Sequence, residues 1–261
     1  MSSEIIAEIK KDYMYNLIKK GERVDGRAFN DYRKIVIETG TIRKAEGSAR
    51  VWLGDTQVQV GVKMQPGEPY PDTPDTGVII TSVELVPMAS PSFEPGPPRE
   101  DSIEIARVVD RGVRESGAID LEKLLIAEDK VWMLFIDIHV LDHDGNLVDA
   151  ASLGAIAALL TAKVPNKRYE LGEDAALPIR DIPIAVTAAD FEGQILLDPE
   201  LDEERIASTR LTVISGKDGS IAGMQKSGIG TPTQEKIEEM VDIAIKKAKE
   251  IRETHFAEFL K

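Results

Sequence analysis

Between Arg33 and Leu85, apolar and polar residues alternate in short runs, and turn-forming residues separate the runs. Ile35-Val36-Ile37 and Val58–Val62 read as strands, and glycines at 26, 40, 47 and 54 permit sharp reversals between them. The pattern predicts a small antiparallel meander with strands at about 33–39, 48–53 and 57–64, followed by a strand at 78–87. Gln65–Pro74 and Ser90–Pro98 are rich in proline and glycine and read as loops. Upstream, Ile5, Ile6, Ile9, Tyr13, Leu17 and Lys20 recur at helical spacing. Ser3 is the expected cap and Gly21 the expected terminator of that first helix.

Helical spacing returns at Asp101–Ser116, and a long strand follows at 131–142, closed by the turn Asp142-His143-Asp144-Gly145-Asn146. Val148–Ala162 is apolar nearly all round, which predicts a helix buried between layers. Asn166–Arg180 is a polar connection flanked by Pro165 and containing Pro178, the natural place for a boundary. Beyond it, 183–190, 193–197, 209–215 and 219–225 read as strands, joined as two hairpins through Glu192-Gly193 and Lys217-Asp218-Gly219. Thr231-Pro232 reads as the N-cap and first residue of a last helix, with Ile237, Val241, Ala244, Ala248 and Ile251 as its apolar stripe. The expected fold class is therefore α+β, two βα units of mixed or antiparallel sheet packed with helices. A helix over 1–22 would precede units at 23–166 and 180–261.

Composition narrows the setting. At 261 residues, with 42% hydrophobic and 30% charged, the chain can bury a core in one or two domains. Its longest apolar run, Val131–Val140, is broken by Asp137 and His139, short of the ~20 residues that span a membrane. Glu4, Glu8 and Asp12 argue against a secretory leader, so a cytoplasmic protein is expected. Without cysteine there is no disulfide, thiolate metal site or cysteine nucleophile. A net charge of −14 repels nucleic acid at long range, so any RNA binding must use a local basic patch or a basic partner.

Several clusters carry possible chemistry. Asp142, Asp144 and Asn146 hint at a calcium loop, but Leu147 occupies the position where such a loop needs glycine, and a hairpin turn is the expectation. His139 and His143 lack a second ligand at metal spacing and read as structural or solvated. Asp198, Asp202, Glu203 and Glu204 read as a solvated, acid-capped turn, with a magnesium or general-acid site as the alternative. Arg107, Arg111 and Arg114 fall on one stripe of the helix at 101–116. Glu104, Asp110 and Glu115 can pair with them, so a solvated face is the first reading and a phosphate-contacting stripe the sharper one. Arg43, Lys44 and Arg50 form a weaker patch.

The motifs RVDGR at 23–27, EGSA at 46–49 and GDT at 54–56, with Arg33, Glu38 and Gly40 between them, resemble the opening of the RNase PH family of phosphorolytic 3′-exoribonucleases. SIEIARVVDRGVRES at 102–116 is similar to the family's first-domain helix. The stretch 131–159 resembles its long strand, turn and buried helix, and FEGQILLD at 191–198 its second-domain hairpin. The resemblance implies an RNase PH-like fold. Active members hold phosphate with paired arginines before the SIEI-like segment, where this chain has Glu100-Asp101. They carry a Gly-Thr-Arg type loop where it has Asn146-Leu147-Val148, and two aspartates where it has Glu203 and Thr209.

Such a member is similar to the non-catalytic ring subunits of the archaeal exosome, which implies no catalytic residue, no metal and no cofactor. The implied partners are a homologous catalytic ring subunit alternating with it in a six-membered ring, RNA-binding cap proteins and single-stranded RNA, with no membrane. Arg107 and Arg111 match the family's RNA-contacting arginines, with Arg114 a lesser addition. The alternative is an active phosphorolytic exoribonuclease or tRNA-trimming nucleotidyltransferase whose phosphate site uses Arg43, Arg50 or Arg99. A third reading is an interaction module that never meets RNA.

Overall fold

The computed structural model describes residues 2–260, with side chains from residue 11 onward. The expected cap Ser3 and the apolar positions Ile5, Ile6 and Ile9 therefore lie outside the described side chains. Helix α1 (Ser2–Lys19) ends as its sequence predicts. Gly21 adopts φ +83, its amide bonds the Ile18 carbonyl at 3.0 Å, and the Glu22 amide reaches back to Leu17 at 3.1 Å.

The predicted meander is present as β1 (Ile35–Thr39), β2 (Gly47–Leu53) and β3 (Thr56–Gly67), all antiparallel. β4 (Val78–Leu85) leads through α2 (Glu100–Glu115) and a short strand β5 (Leu125–Ala127) into the long β6 (Lys130–Asp142). The helical crossover lets β4 run parallel to β6, with Val83 opposite Ile138, while β3 pairs antiparallel on the other side. The order is β1-β2-β3-β6-β4. Alternate residues of β2 and β3 (Ala49, Val51, Leu53, Val58, Val60 and Val62) all point into the core and are inaccessible to solvent.

Helix α3 (Leu147–Leu160) is buried along nearly its whole circumference, as its composition predicts. It packs on β2 and β3 on one side and on β9 (Ile184–Phe191) on the other. The polar connection carries a two-residue ribbon, β7 (Lys163–Val164) with β8 (Ala175–Ala176). The second sheet has the order β10-β9-β11-β12. It comprises β10 (Gln194–Leu197), β9, β11 (Thr209–Ser215) and β12 (Ile221–Ser227), and both predicted hairpins are present. One hydrophobic cluster runs from Val60 through Leu153 to Val213, so α3 is the shared filling of both sheets. Each fully buried leucine or isoleucine in it contributes roughly 2–3 kcal/mol.

Three expectations need correction. Asp142–Asn146 is not a hairpin turn but the joint between β6 and α3, with Gly145 at φ +85 and Asn146 at φ +53. The acidic run after Asp198 is not a solvated turn. It forms helix α4 (Leu201–Ile206), whose Glu200 and Glu203 make a reciprocal capping box, and Asp198 and Glu203 are buried. The last helix, α5 (Gln234–His255), is capped by Thr233, whose hydroxyl accepts from the Lys236 amide at 3.3 Å, and not by Thr231. Its predicted inner face holds: Ala244, Ala248 and Ile251 are buried, together with Met240. Among the described residues no helix is long and apolar enough to cross a membrane.

Candidate nucleic-acid interface

Helix α2 turns Ile105, Val108, Val109 and Val113 inward, and this orientation fixes where its arginines point. Glu100 and Asp101 in its first turn and Arg114 in its last complement the helix dipole. Arg107, Arg111 and Arg114 line a groove of about 450 Å³ between α2 and β4, together with Thr81, Ser82, Ile103 and Ala106. The stripe inferred from spacing therefore exists as one surface.

Its members are not equivalent. Arg114 donates twice to the Asp110 carboxylate, both at 3.1 Å, and once to the Ile79 carbonyl at 3.1 Å. Glu104, a possible partner by spacing, instead accepts from Gln225 and Ser227 on β12. Arg107 is exposed and Arg111 half-buried, and neither forms an ion pair or side-chain hydrogen bond among the described residues. The Arg111 stem crosses Gly223, where a Cβ would stand 3.3 Å from its Cδ, so the glycine leaves room for the side chain to lie over β12. Two unpaired guanidinium forks on an otherwise anionic molecule suit phosphate oxygens.

Four of the positions that the sequence comparison singled out, Asp101, Asn146, Leu147 and Val148, also meet at one place. Asp101, Asn146, Leu147 and Val148 line one cavity of about 210 Å³ with Glu104, His143, Glu204, Arg210 and Thr212. Its one arginine, Arg210, is bound to Glu204 at 2.7 Å. Burial lowers the His143 pKa, and its ring stacks on Phe93 at 5.2 Å. Glu203 does not line this cavity and is held in a buried ion pair with Arg23. Thr209 is buried, and its hydroxyl finds no partner among the described residues.

The other candidate cations lie elsewhere. Arg50 stacks on Trp52 at 4.8 Å and donates to Gln57 on the outer face of the first sheet. Arg99 pairs with Glu94 at 2.7 Å, while Arg43 and Lys44 are exposed in the loop after β1. His139 pairs with Glu84 at 3.2 Å, and no cluster of three acidic or histidine ligands suits a metal among the described residues.

The opening motifs turn out to hold the molecule together. Arg33 grips the Asp198 carboxylate through Nε (2.9 Å), Nη2 (2.8 Å) and its backbone amide (2.8 Å). Arg27 and the Asn146 amide add bonds of 3.0 and 2.7 Å to the same carboxylate. Arg23 donates to Glu203 at 2.9 Å and to the Leu197 and Asp198 carbonyls. In the GDT motif, the Thr56 hydroxyl donates to Gly145 and accepts from the Asp144 amide, pinning the joint before α3. Sequence reasoning assigned these arginines no partner. The one available signal was an acid run with no periodicity of its own.

Comparison with known proteins agrees with this architecture. The profile of the 3′ exoribonuclease family, domain 1, matches residues 31–165, and that of domain 2 matches residues 181–247. A protein of Methanocella arvoryzae named exosome complex component Rrp42 is 65% identical over 254 residues, covering 97% of this chain and 98% of that one. A chain in the structure described as "archaeoglobus fulgidus exosome with RNA bound to the active site" superposes with a TM-score of 0.93 at 55% identity, covering 95% of this chain and 98% of that one. A chain of an "Archaeal exosome core" gives 0.90 at 51% identity, over 97% and 98% of the two chains. The chain belongs to the 3′ exoribonuclease family, the RNase PH family.

Proposed function

We propose that this chain is a non-catalytic ring subunit of an archaeal exosome, a phosphorolytic 3′–5′ exoribonuclease complex, and that Arg107 and Arg111 hold RNA there. One observation carries the reading: the cavity where the family's phosphate-binding positions converge is lined by Asp101, Glu104 and Glu204, and its arginine is already neutralised. Phosphorolysis must gather inorganic phosphate beside an RNA end, and carboxylates there oppose both anions. Catalysis then falls to a homologous ring partner, with cap proteins completing a cytoplasmic assembly. The names of the relatives support this reading, as does the pair of unpaired guanidiniums in the groove along α2. Arg114, tied to Asp110, plays a smaller part than the other two.

Such a channel tracks backbone charge and reads little sequence. The test is reconstitution. The purified chain alone should not degrade RNA with phosphate, and mixing it with its homologous partner should yield an active ring. Arg111→Glu should weaken RNA binding by the assembled ring about tenfold, the scale of one lost charge-assisted phosphate contact, without preventing assembly. Phosphorolysis by the chain alone, or a ring indifferent to Arg111→Glu, would overturn the respective half of the proposal.

A further inference from the structure

The same carboxylate-lined cavity keeps acceptors in reserve, although Glu204 is already held by Arg210 and by the Asn146 backbone amide at 3.1 Å. Asp101 has no hydrogen-bond or ion-pair partner among the described residues. Glu104 receives Gln225 (3.0 Å) and Ser227 (3.1 Å) on one oxygen, Oε1, which leaves Oε2 free. Asn146, only 1% exposed, lines the cavity as well. Its amide nitrogen is committed to two carboxylates, Asp149 at 2.8 Å and Asp198 at 2.7 Å, which fixes the direction of the amide group. The amide oxygen, turned the other way, has no donor. A buried acceptor left without a donor costs about 1–3 kcal/mol, and a ligand's N–H groups can relieve that cost.

Charge and shape agree on what such a ligand is. Three carboxylates face one arginine that Glu204 already holds, so an anion is repelled and a cation drawn in. The His143–Phe93 stack, with its planes 14° apart, lies at the same cavity and offers an aromatic surface to a planar cation. We propose that this cavity binds a guanidinium or alkylammonium group, with guanidinium the better fit. Two sources present that group: a small free amine, or an arginine side chain of a neighbouring subunit. The inference does not depend on the ring assignment, because the cavity lies wholly within one chain.

Calorimetric titration of the full chain with agmatine tests it, with inorganic phosphate as the opposite-charge control. Saturable one-to-one binding of agmatine and none of phosphate is expected. Asp101→Asn, at an exposed position without a side-chain hydrogen bond or ion pair among the described residues, should raise the agmatine Kd about tenfold, and Glu104→Gln should do likewise. Glu238→Gln on α5 removes the same charge elsewhere and should leave the Kd unchanged. Unsaturable binding, phosphate binding at the cavity, or an agmatine Kd insensitive to both cavity variants would overturn the proposal. Repeating the titration on the assembled ring separates the sources. Loss of the site on assembly assigns it to a neighbour's arginine, and its persistence assigns it to a free amine. Failure here would leave the reconstitution result for the exosome reading untouched.

Discussion

Asp149 and Asp198 accept hydrogen bonds from the same Asn146 amide nitrogen, yet their acidities move in opposite directions. Burial raises Asp149 to about 6, and the bonds from Tyr32, Asn146 and Thr187 only partly offset it. Burial also acts upward on Asp198, but hydrogen bonds and charge from Arg33 more than cancel it and hold that carboxyl low. The signs for stability follow. Asp149 contributes stability that is complete below its unfolded pKa and is lost as pH rises through about 6. Asp198 contributes stability that is present above its unfolded pKa and is lost as pH falls through its depressed folded value. Raising the pH from 4 to 7 should therefore remove about 2 kcal/mol through Asp149. Urea unfolding at both pH values should show this fall in the native chain and not in Asp149→Asn. Parallel pH slopes for the two proteins would refute it.

At the scale of elements, α3 sits so close to β2 that side-chain size is limiting. A Cβ on Gly47 would lie 2.3 Å from the Ala158 carbonyl oxygen and 2.8 Å from Ala162. Gly47→Ala should therefore cost about 1–3 kcal/mol by forcing strand and helix apart, and an unchanged urea midpoint would contradict the tight contact. This element was legible in advance, because an alanine-rich stretch apolar all round has only a layered interior to occupy. The meander and both second-sheet hairpins were legible too, since alternation and glycine-bearing turns are local signals. Helix α4 was not. It spans six residues, too few to show periodicity, and its acids look like a solvated turn until their buried arginine partners are known. The start of α5 slipped by two residues because Thr231 and Thr233 are both competent caps, and only the latter's hydroxyl meets the Lys236 amide.

For the molecule as a whole, the ion-pair hub around Asp198 joins the opening motifs to the second sheet. Asp198→Asn would leave the Arg33 guanidinium, only 6% exposed, without its buried counter-charge. The expected cost is about 3–5 kcal/mol, to be read as a lower denaturation midpoint for the chain. A loss below about 1 kcal/mol would place the hub among ordinary surface pairs. The site was legible in part for the same reason that the hub was not. The arginine stripe lies within one helix, where sequence spacing translates into geometry, and Arg107, Arg111 and Arg114 do share one groove. Which of the stripe's arginines remain unpaired depended on Asp110 choosing Arg114 and on Glu104 turning to β12, and neither choice is written in the local sequence.

The span of that hub has a consequence for how the chain is made. Arg23 meets Glu203 across 180 positions and Arg33 meets Asp198 across 165. On a ribosome, both arginines emerge long before their partners exist, and the first sheet must wait with its cationic side chains still in water. Closure of the hub is thereby deferred until the second sheet has been synthesised, so the nascent first half cannot complete its native interior early. The opening motif then acts as a latch that only a nearly finished chain can close.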